Sequence, residues 1–235
     1  VPGRGESPAS YARFGRRLAA DSYRVRVLST PVLDAADLTA GLDRFAKTLS
    51  DTALDVAEDG PIGPLVLAGA DIGAAALASL VSGSVSAVPW WPAAVVLAAL
   101  PGYAAHLGGG WDDELDLRSH CPVHRGVLAD DPSVRPGSFA TAVPAALLDA
   151  TYGSDAEIPH LLLVGDVDPF ADREALSRLA KSLPSARLSV IRGAHHDVLN
   201  DLQHRSVAAA IVSFLEVLRN GPSLEPIVEV EYSTW

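Results

Sequence analysis

The apolar positions of this chain change period several times. Over residues 8–20, Tyr11, Phe14 and Leu18 fall three and four apart, the spacing of one helix face. Tyr23-Arg24-Val25-Arg26-Val27-Leu28 then alternates apolar and polar, the period of a half-buried strand. Residues 36–57 return to the helical period, with Leu38, Leu42, Phe45, Leu49 and Val56 on one face. Beyond them the strand-length segments are apolar throughout: Pro64 to Ala70, Ala93 to Leu100, His160 to Val164. Helical patterns run from about Ile72 to Val81, over 172–183 and over 201–219, with a further strand at Arg187 to Arg192. Continuous apolar strands are covered on both faces. Their alternation with helices predicts an α/β fold, a mostly parallel sheet flanked by helices. The tail EPIVEVEYSTW alternates like an edge strand.

Residues 102–157 break this rhythm. They hold Gly108-Gly109-Gly110, the acids Asp112, Asp113, Glu114 and Asp116, and several prolines. An excursion of that length is usually functional or flexible, and it is expected to be a lid inserted into a single domain spanning 1–235. Val1-Pro2-Gly3 has the look of the end of a strand, so further residues are expected ahead of it.

Composition narrows the function. The apolar fraction of 49% suits a globular core, and no 18-residue apolar run predicts a transmembrane helix. A formal charge of −11 disfavours nucleic acid and anionic membrane surfaces as partners. A small-molecule substrate is expected, and a homodimer is compatible with the chain. The single cysteine, Cys121, allows no internal disulfide and the start has no signal-peptide pattern, so a cytoplasmic location is expected.

The stretch LVLAGADIGAAAL, Leu65 to Leu77, reads as strand, tight turn and helix. Its Gly69-Ala70-Asp71-Ile72-Gly73 has the G-x-S-x-G spacing of a nucleophile elbow, with aspartate in the serine position. Side chains at 69 and 73 would collide with neighbouring backbone, and the helix start favours a negative charge on Asp71. LLLVGDVDPF delivers Asp166 and Asp168 from the end of a strand, and VIRGAHHDVLND delivers His195 and His196. Nucleophile, acid and histidine then follow in the chain order of the α/β-hydrolases.

With those residues in place, the chain resembles α/β-hydrolases of the monoacylglycerol lipase and lysophospholipase kind. PGRGESPASYARFGRRLAADSYRV is similar to that family's HG-x-x-E loop and following helix, with Pro2 in place of histidine and Gly3, Glu6, Tyr11, Leu18, Ala19, Tyr23 and Val25 in place. GAHHDVLND is similar to G-A-x-H-E-x-x-N-E, and GDVDPF to G-x-x-D. The resemblance implies His196 as base, Asp168 as acid and Asp71 in the nucleophile position, with the N–H groups of Arg4 and Ile72 as oxyanion donors. His195, Trp111, His120 and His124 are expected to line the pocket. Asp166 and His195 are the alternative acid and base. Asp197, Asn200 and Asp201 are expected to cap the following helix.

No organic cofactor and no metal is expected. His120-Cys121-Pro122-Val123-His124 offers three donors, too few and too constrained for a closed zinc site. A carboxylate nucleophile suits a saturated carbon, as in epoxide or carbon–halogen opening, with water then hydrolysing the enzyme ester. Ile72 and the lid tyrosines Tyr103 and Tyr152 depart from the dehalogenase and epoxide-hydrolase patterns. Two alternatives stay open: Asp71 and His196 as a general-base pair in a lyase or cyclase, and a non-catalytic binding protein.

Overall fold

The computed structural model describes residues 1–58, 63–82, 88, 90–104, 109–221 and 223–234. Gly108 of the expected glycine run lies outside them. A 3-10 turn at Pro8–Tyr11 leads into α1 (Ala12–Ala20), and α2 (Leu38–Glu58) follows. The strand–helix alternation then runs β1 (Val66–Ala70), α3 (Asp71–Val81), β2 (Ala94–Ala98). The excursion holds α4 (Trp111–Arg118), α5 (Pro122–Asp130), a 3-10 turn at Ser138–Ala140 and α6 (Ala145–Tyr152). The chain closes with β3 (His160–Gly165), α7 (Arg173–Ser182), β4 (Ala186–Ile191) and α8 (His204–Arg219).

The strands form a parallel sheet in the order β1-β2-β3-β4, with Val66 opposite Ala94, Ala98 opposite Leu163 and Gly165 opposite Ile191. Successive side chains go to opposite faces. Val95 and Leu97 therefore join Phe45, Leu77, Leu147, Leu162 and Leu176 in one core layer. Val96 and Ala98 join Phe14, Leu18, Leu161, Ile211 and Phe214 in the other. Burying a leucine of this kind stabilises the fold by about 1.5–3 kcal/mol. Parallel strands deliver their carboxyl ends to one edge of the sheet. The residues that follow β1, β3 and β4 therefore meet there.

Three expectations need correction. Tyr23–Leu28 runs extended but pairs with no strand among the described residues, although Val25 and Val27 pack on the core. Alternation reports one buried face and says nothing of a hydrogen-bonded neighbour. The tail also forms no strand over its described residues, and Val228, Val230 and Tyr232 are exposed. Finally, the end of the excursion belongs to the main body: Leu147 and Leu148 of α6 are buried in the core, and the Thr151 hydroxyl donates to the Ala75 carbonyl of α3 at 3.0 Å. No helix among the described residues is long and apolar enough to cross a membrane.

Candidate active site

Asp71 is the first residue of α3, directly off β1, at φ +48°. That left-handed conformation is costly for a side chain with a Cβ, and such strain persists only where surrounding packing enforces it. The two flanking glycines make the turn feasible. A Cβ on Gly69 would lie 2.7 Å from the Ala74 backbone, and one on Gly73 2.5 Å from the Pro2 carbonyl oxygen. The elbow is thus pressed against both its own helix and the Val1–Arg4 segment.

His196 hangs between two carboxylates. Its Nδ1 lies 3.0 and 3.1 Å from the Asp168 oxygens, and its Nε2 lies 3.3 Å from Asp71 Oδ1. The second contact is an ion pair without the alignment of a hydrogen bond. Burial alone would drive the imidazolium proton off. The Asp168 charge and hydrogen bond, together with Asp71, override it and raise the His196 pKa to about 10. Asp166 is elsewhere, accepting the Gly193 N–H at 2.6 Å on an exposed turn.

Arg4 completes the centre. Its backbone N–H donates to Asp71 Oδ2 at 2.8 Å, Nε to the same oxygen at 2.9 Å, and Nη2 to Oδ1 at 3.0 Å. Nη1 reaches the Thr141 carbonyl at 2.9 Å, and the guanidinium carbon stands 5.0 Å from the Phe139 ring centre and 5.8 Å from that of Phe170. Those two rings also meet His196 edge-on at 5.1 and 5.0 Å. Burial would raise the Asp71 pKa, but the Arg4 charge first and His196 second hold it well below the usual carboxylate range. Asp71, Asp168, Arg4 and His196 therefore form a buried quartet of balanced charge. Arg4, Asp71 and His196 are 6%, 2% and 1% exposed, so the centre is closed to solvent. Ile72, at the start of α3, is buried beside it among the free first-turn N–H groups.

Four residues expected at the pocket are placed elsewhere. The His195 ring bonds Asp201 at 2.9 Å and lies tilted by 32° against His120 with ring centres 3.8 Å apart, and His120 is exposed. His124 is buried behind the centre, with Nε2 2.9 Å from Asp197 Oδ2 and 3.9 Å from Glu6 Oε1. Trp111 packs against Leu115, Leu128 and Val134 within the excursion. In each case a partner outside the pocket holds the side chain: one close in sequence for Trp111, one distant for His120 and His124, and one of each for His195.

Asp197 and Asp201 are not helix caps. Asp201 gathers the Ser119 hydroxyl and the His120 and His195 N–H groups, while Asp197 pairs His124 and stands 3.5 Å from Arg118 Nη1. Arg118 in turn bonds Glu114 and the Arg4 carbonyl, at 2.7 and 2.6 Å. Glu6 takes the Gly3 N–H and the Tyr11 hydroxyl, at 2.8 and 2.6 Å, and so sets the backbone of the Arg4 loop. Burial first and Asp197 second raise the Glu6 pKa. Donor atoms of Glu6, His124 and Asp197 lie within 4.8 Å of one another, close enough to share a cation, but the Arg118 guanidinium already meets their charge. The donors of His120-Cys121-Pro122-Val123-His124 diverge, the Cys121 sulfur accepting from Arg13 at 3.3 Å.

The composition of the sequence concealed Phe139, Phe170, Thr141 and the Arg4 side chain. Only the last had a signal, a cation in the loop that faces an acidic elbow.

No family model matches the sequence, and no curated protein matches it. Solved structures do. A monoacylglycerol lipase from Paleococcus ferrophilus superposes with a TM-score of 0.67 at 18% identity, over 92% of this chain and 91% of that one. A soluble variant of monoglyceride lipase from Saccharomyces cerevisiae, in complex with a substrate analog, gives 0.67 at 14% identity over 92% and 84%. A peroxisomal alpha-beta-hydrolase from the same yeast gives 0.61 at 15% identity over 94% and 77%. At such identities the likeness is one of fold: the chain has the α/β-hydrolase fold.

Proposed function

We propose that the chain is a cofactor-independent hydrolase of a small organic molecule, working through Asp71, His196 and Asp168 and a covalent aspartyl ester. The observation that carries this reading is the His196 ring strung between Asp168 and Asp71, with Asp71 on a strained strand-to-helix elbow. The fold shared with lipases and another hydrolase supports the reaction class.

In this mechanism Oδ2 of Asp71 rests on the Arg4 N–H, with the Ile72 N–H as second donor. Oδ1 attacks a saturated carbon. The new carbon–oxygen bond forms as the carbon's bond to an epoxide oxygen or halide breaks, and the electron pair leaves with that atom. An epoxide oxygen takes the proton of His196, whereas a halide leaves as an anion beside the Arg4 cation and the His196 proton passes to solvent. Ester formation removes one of the two carboxylate charges that hold that proton, so the His196 pKa falls and the imidazole becomes a base. It deprotonates water, whose oxygen bonds the ester carbonyl carbon; the tetrahedral adduct then breaks its bond to the product oxygen, which leaves as an alcohol with the proton held by His196, and the Asp71 carboxyl proton passes to His196, regenerating the carboxylate and the imidazolium. Asp168 orients the ring and stabilises its charged form. Substrate entry requires Arg4 to leave Asp71. The part of the excursion ahead of α6, which supplies Thr141 and Phe139, acts as the lid whose movement releases it.

A second reading is favoured by the saturation of Asp71, which already accepts three hydrogen bonds from Arg4. There Asp71 never becomes bonded, and it serves as a general base or a purely structural anion. The test is intact-protein mass spectrometry of His196→Ala after incubation with alkyl halides, whose opening needs no proton from His196, backed by single turnover of the parent with epoxides, alkyl halides and esters in heavy-oxygen water. The nucleophile reading expects a trapped adduct on Asp71 and solvent oxygen in its carboxylate. A verified substrate that leaves neither mark transfers the site to the general-base reading.

A further inference from the structure

His120 opens a stretch whose three donors diverge, yet its ring meets a second imidazole from elsewhere in the chain. The His120 and His195 ring centres are 3.8 Å apart. One buried carboxylate sets up the pair. Asp201 Oδ1 accepts the Ser119 hydroxyl at 2.8 Å and the His120 N–H at 2.9 Å. Its Oδ2 accepts the His195 N–H at 2.7 Å and lies 2.9 Å from His195 Nδ1. Asp201 is fully buried, so a single anion fixes the backbones of both histidines and one of their rings.

A carboxylate only accepts, so His195 Nδ1 carries the proton and the lone pair of the neutral ring sits on Nε2. A carboxylate holding the near nitrogen is what orients a histidine as a metal ligand and makes its far nitrogen more basic. Solvent reaches both rings: the His195 side chain keeps 16% of its surface exposed, and His120 is exposed. Two nitrogens on one tetrahedral ion, each at about 2.0–2.1 Å, stand about 3.4 Å apart. The two rings are already that close. To share an ion they must open from their 32° tilt, a turn that the exposed His120 side chain makes about its own bonds. Arg125 reaches the Ser119 carbonyl at 3.2 Å, but Asp116 meets its charge at 2.6 Å. The formal charge of −11 draws cations to the surface on average.

We propose that His120 and His195 form a surface site for a transition cation of the Zn²⁺, Ni²⁺ or Cu²⁺ class, with Asp201 behind His195 and water completing the coordination. Imidazole suits those ions, whereas Mg²⁺ and Ca²⁺ take oxygen ligands. The site straddles a seam. His120 lies just beyond α4 in the excursion, and His195 immediately precedes His196. Beside them the His196 N–H donates to Leu117 O at 3.3 Å and the Asp197 N–H to Arg118 O at 2.8 Å. A bound ion ties the excursion to the loop that carries His196. That tie does not depend on the role of Asp71.

The experiment is calorimetric titration of the untagged, metal-stripped chain with Zn²⁺, Cu²⁺, Mg²⁺ and Ca²⁺. Electron paramagnetic resonance of the copper form and amide hydrogen exchange with and without zinc accompany it. The expected result is one Zn²⁺ or Cu²⁺ per chain, two imidazole nitrogens in the copper signal, and slower exchange of the His196 and Asp197 amides. His120→Ala changes an exposed position, and His195→Asn keeps a donor for Asp201. Each should weaken binding about tenfold or more, since even outer-shell changes cost about 10–100-fold. Zinc that stays bound with parent affinity in the double variant belongs to other donors and overturns the proposal. So do equal affinities for Mg²⁺ and Zn²⁺, a single nitrogen in the copper signal, or no binding by the parent. Zinc bound with both amides exchanging as before overturns the tie across the seam.

Discussion

Replacing Arg4 with Met removes the cation from a carboxylate that cannot reach water. Arg4 and Asp71 are each more than nine-tenths buried and joined through two guanidinium nitrogens at 2.9 and 3.0 Å. Removing one partner of such a pair leaves an uncompensated buried charge, at a cost of about 3–5 kcal/mol. For a domain of this size each kcal/mol is roughly 2–4 °C of Tm. Arg4→Met should therefore melt roughly 6–20 °C below the parent at pH 7. The penalty has a pH signature. Asp71 has a depressed folded-state pKa, so its contribution is present above its unfolded value near 3.9 and is lost on acidification. In Arg4→Met the larger of the two depressing charges is gone and His196 alone opposes burial, so the folded-state pKa of Asp71 rises from its parent value and the gap to the parent should narrow as the pH falls. The double variant Arg4→Met/Asp71→Leu carries no orphaned charge and should be more stable than Arg4→Met alone, because apolar replacement of a whole buried pair is often neutral or better. Calorimetry of the parent, both single variants and the double closes the cycle. A Tm loss below about 2 °C in Arg4→Met, or strictly additive effects in the double, would refute the claim that the pair is a coupled buried charge lock.

Other predictions follow from the same geometry. The His196 pKa is raised to about 10, so its stabilisation is complete below the unfolded value near 6.5 and is lost as pH climbs through 10. Tm should fall between pH 7 and 10, and Asp168→Asn should flatten that fall. Nuclear magnetic resonance titration of His196 should shift downward in Asp168→Asn and stay in place in Asp166→Asn, since Asp166 bonds only the Gly193 turn. Gly73→Ala puts a Cβ 2.5 Å from the Pro2 carbonyl oxygen and should cost about 1–3 kcal/mol in denaturant unfolding, as forced overpacking does. Phe139→Ala, at a ring 1% exposed that covers both Arg4 and His196, should cost about 3–5 kcal/mol and speed solvent exchange at His196.

Local signals carried much of this molecule. Continuous apolar runs and helical periods gave away β1 through β4 and their helices, because burial on both faces leaves its mark on consecutive residues. The elbow was legible at Gly69-Ala70-Asp71-Ile72-Gly73, because steric demands at a tight turn fall on neighbours in sequence. The order Asp71, Asp168, His196 was legible because a parallel sheet delivers its strand ends to one edge.

What depended on long-range contact was not. Arg4 lies 67 positions from Asp71, and Asp197 lies 73 from His124. Whether an aspartate beside a histidine caps a helix or joins a buried ion network depends on which side chain arrives from elsewhere. Tyr23–Leu28 shows the same limit, since a strand exists only when another backbone lies beside it. The sequence by itself determined the layers, the elbow and the three residues that carry the proposed chemistry, all through constraints between near neighbours. Only the tertiary structure decided that Asp71 is locked by Arg4 under Phe139 and Phe170, because charge pairing in a buried site is settled by proximity in space and leaves no period along the chain.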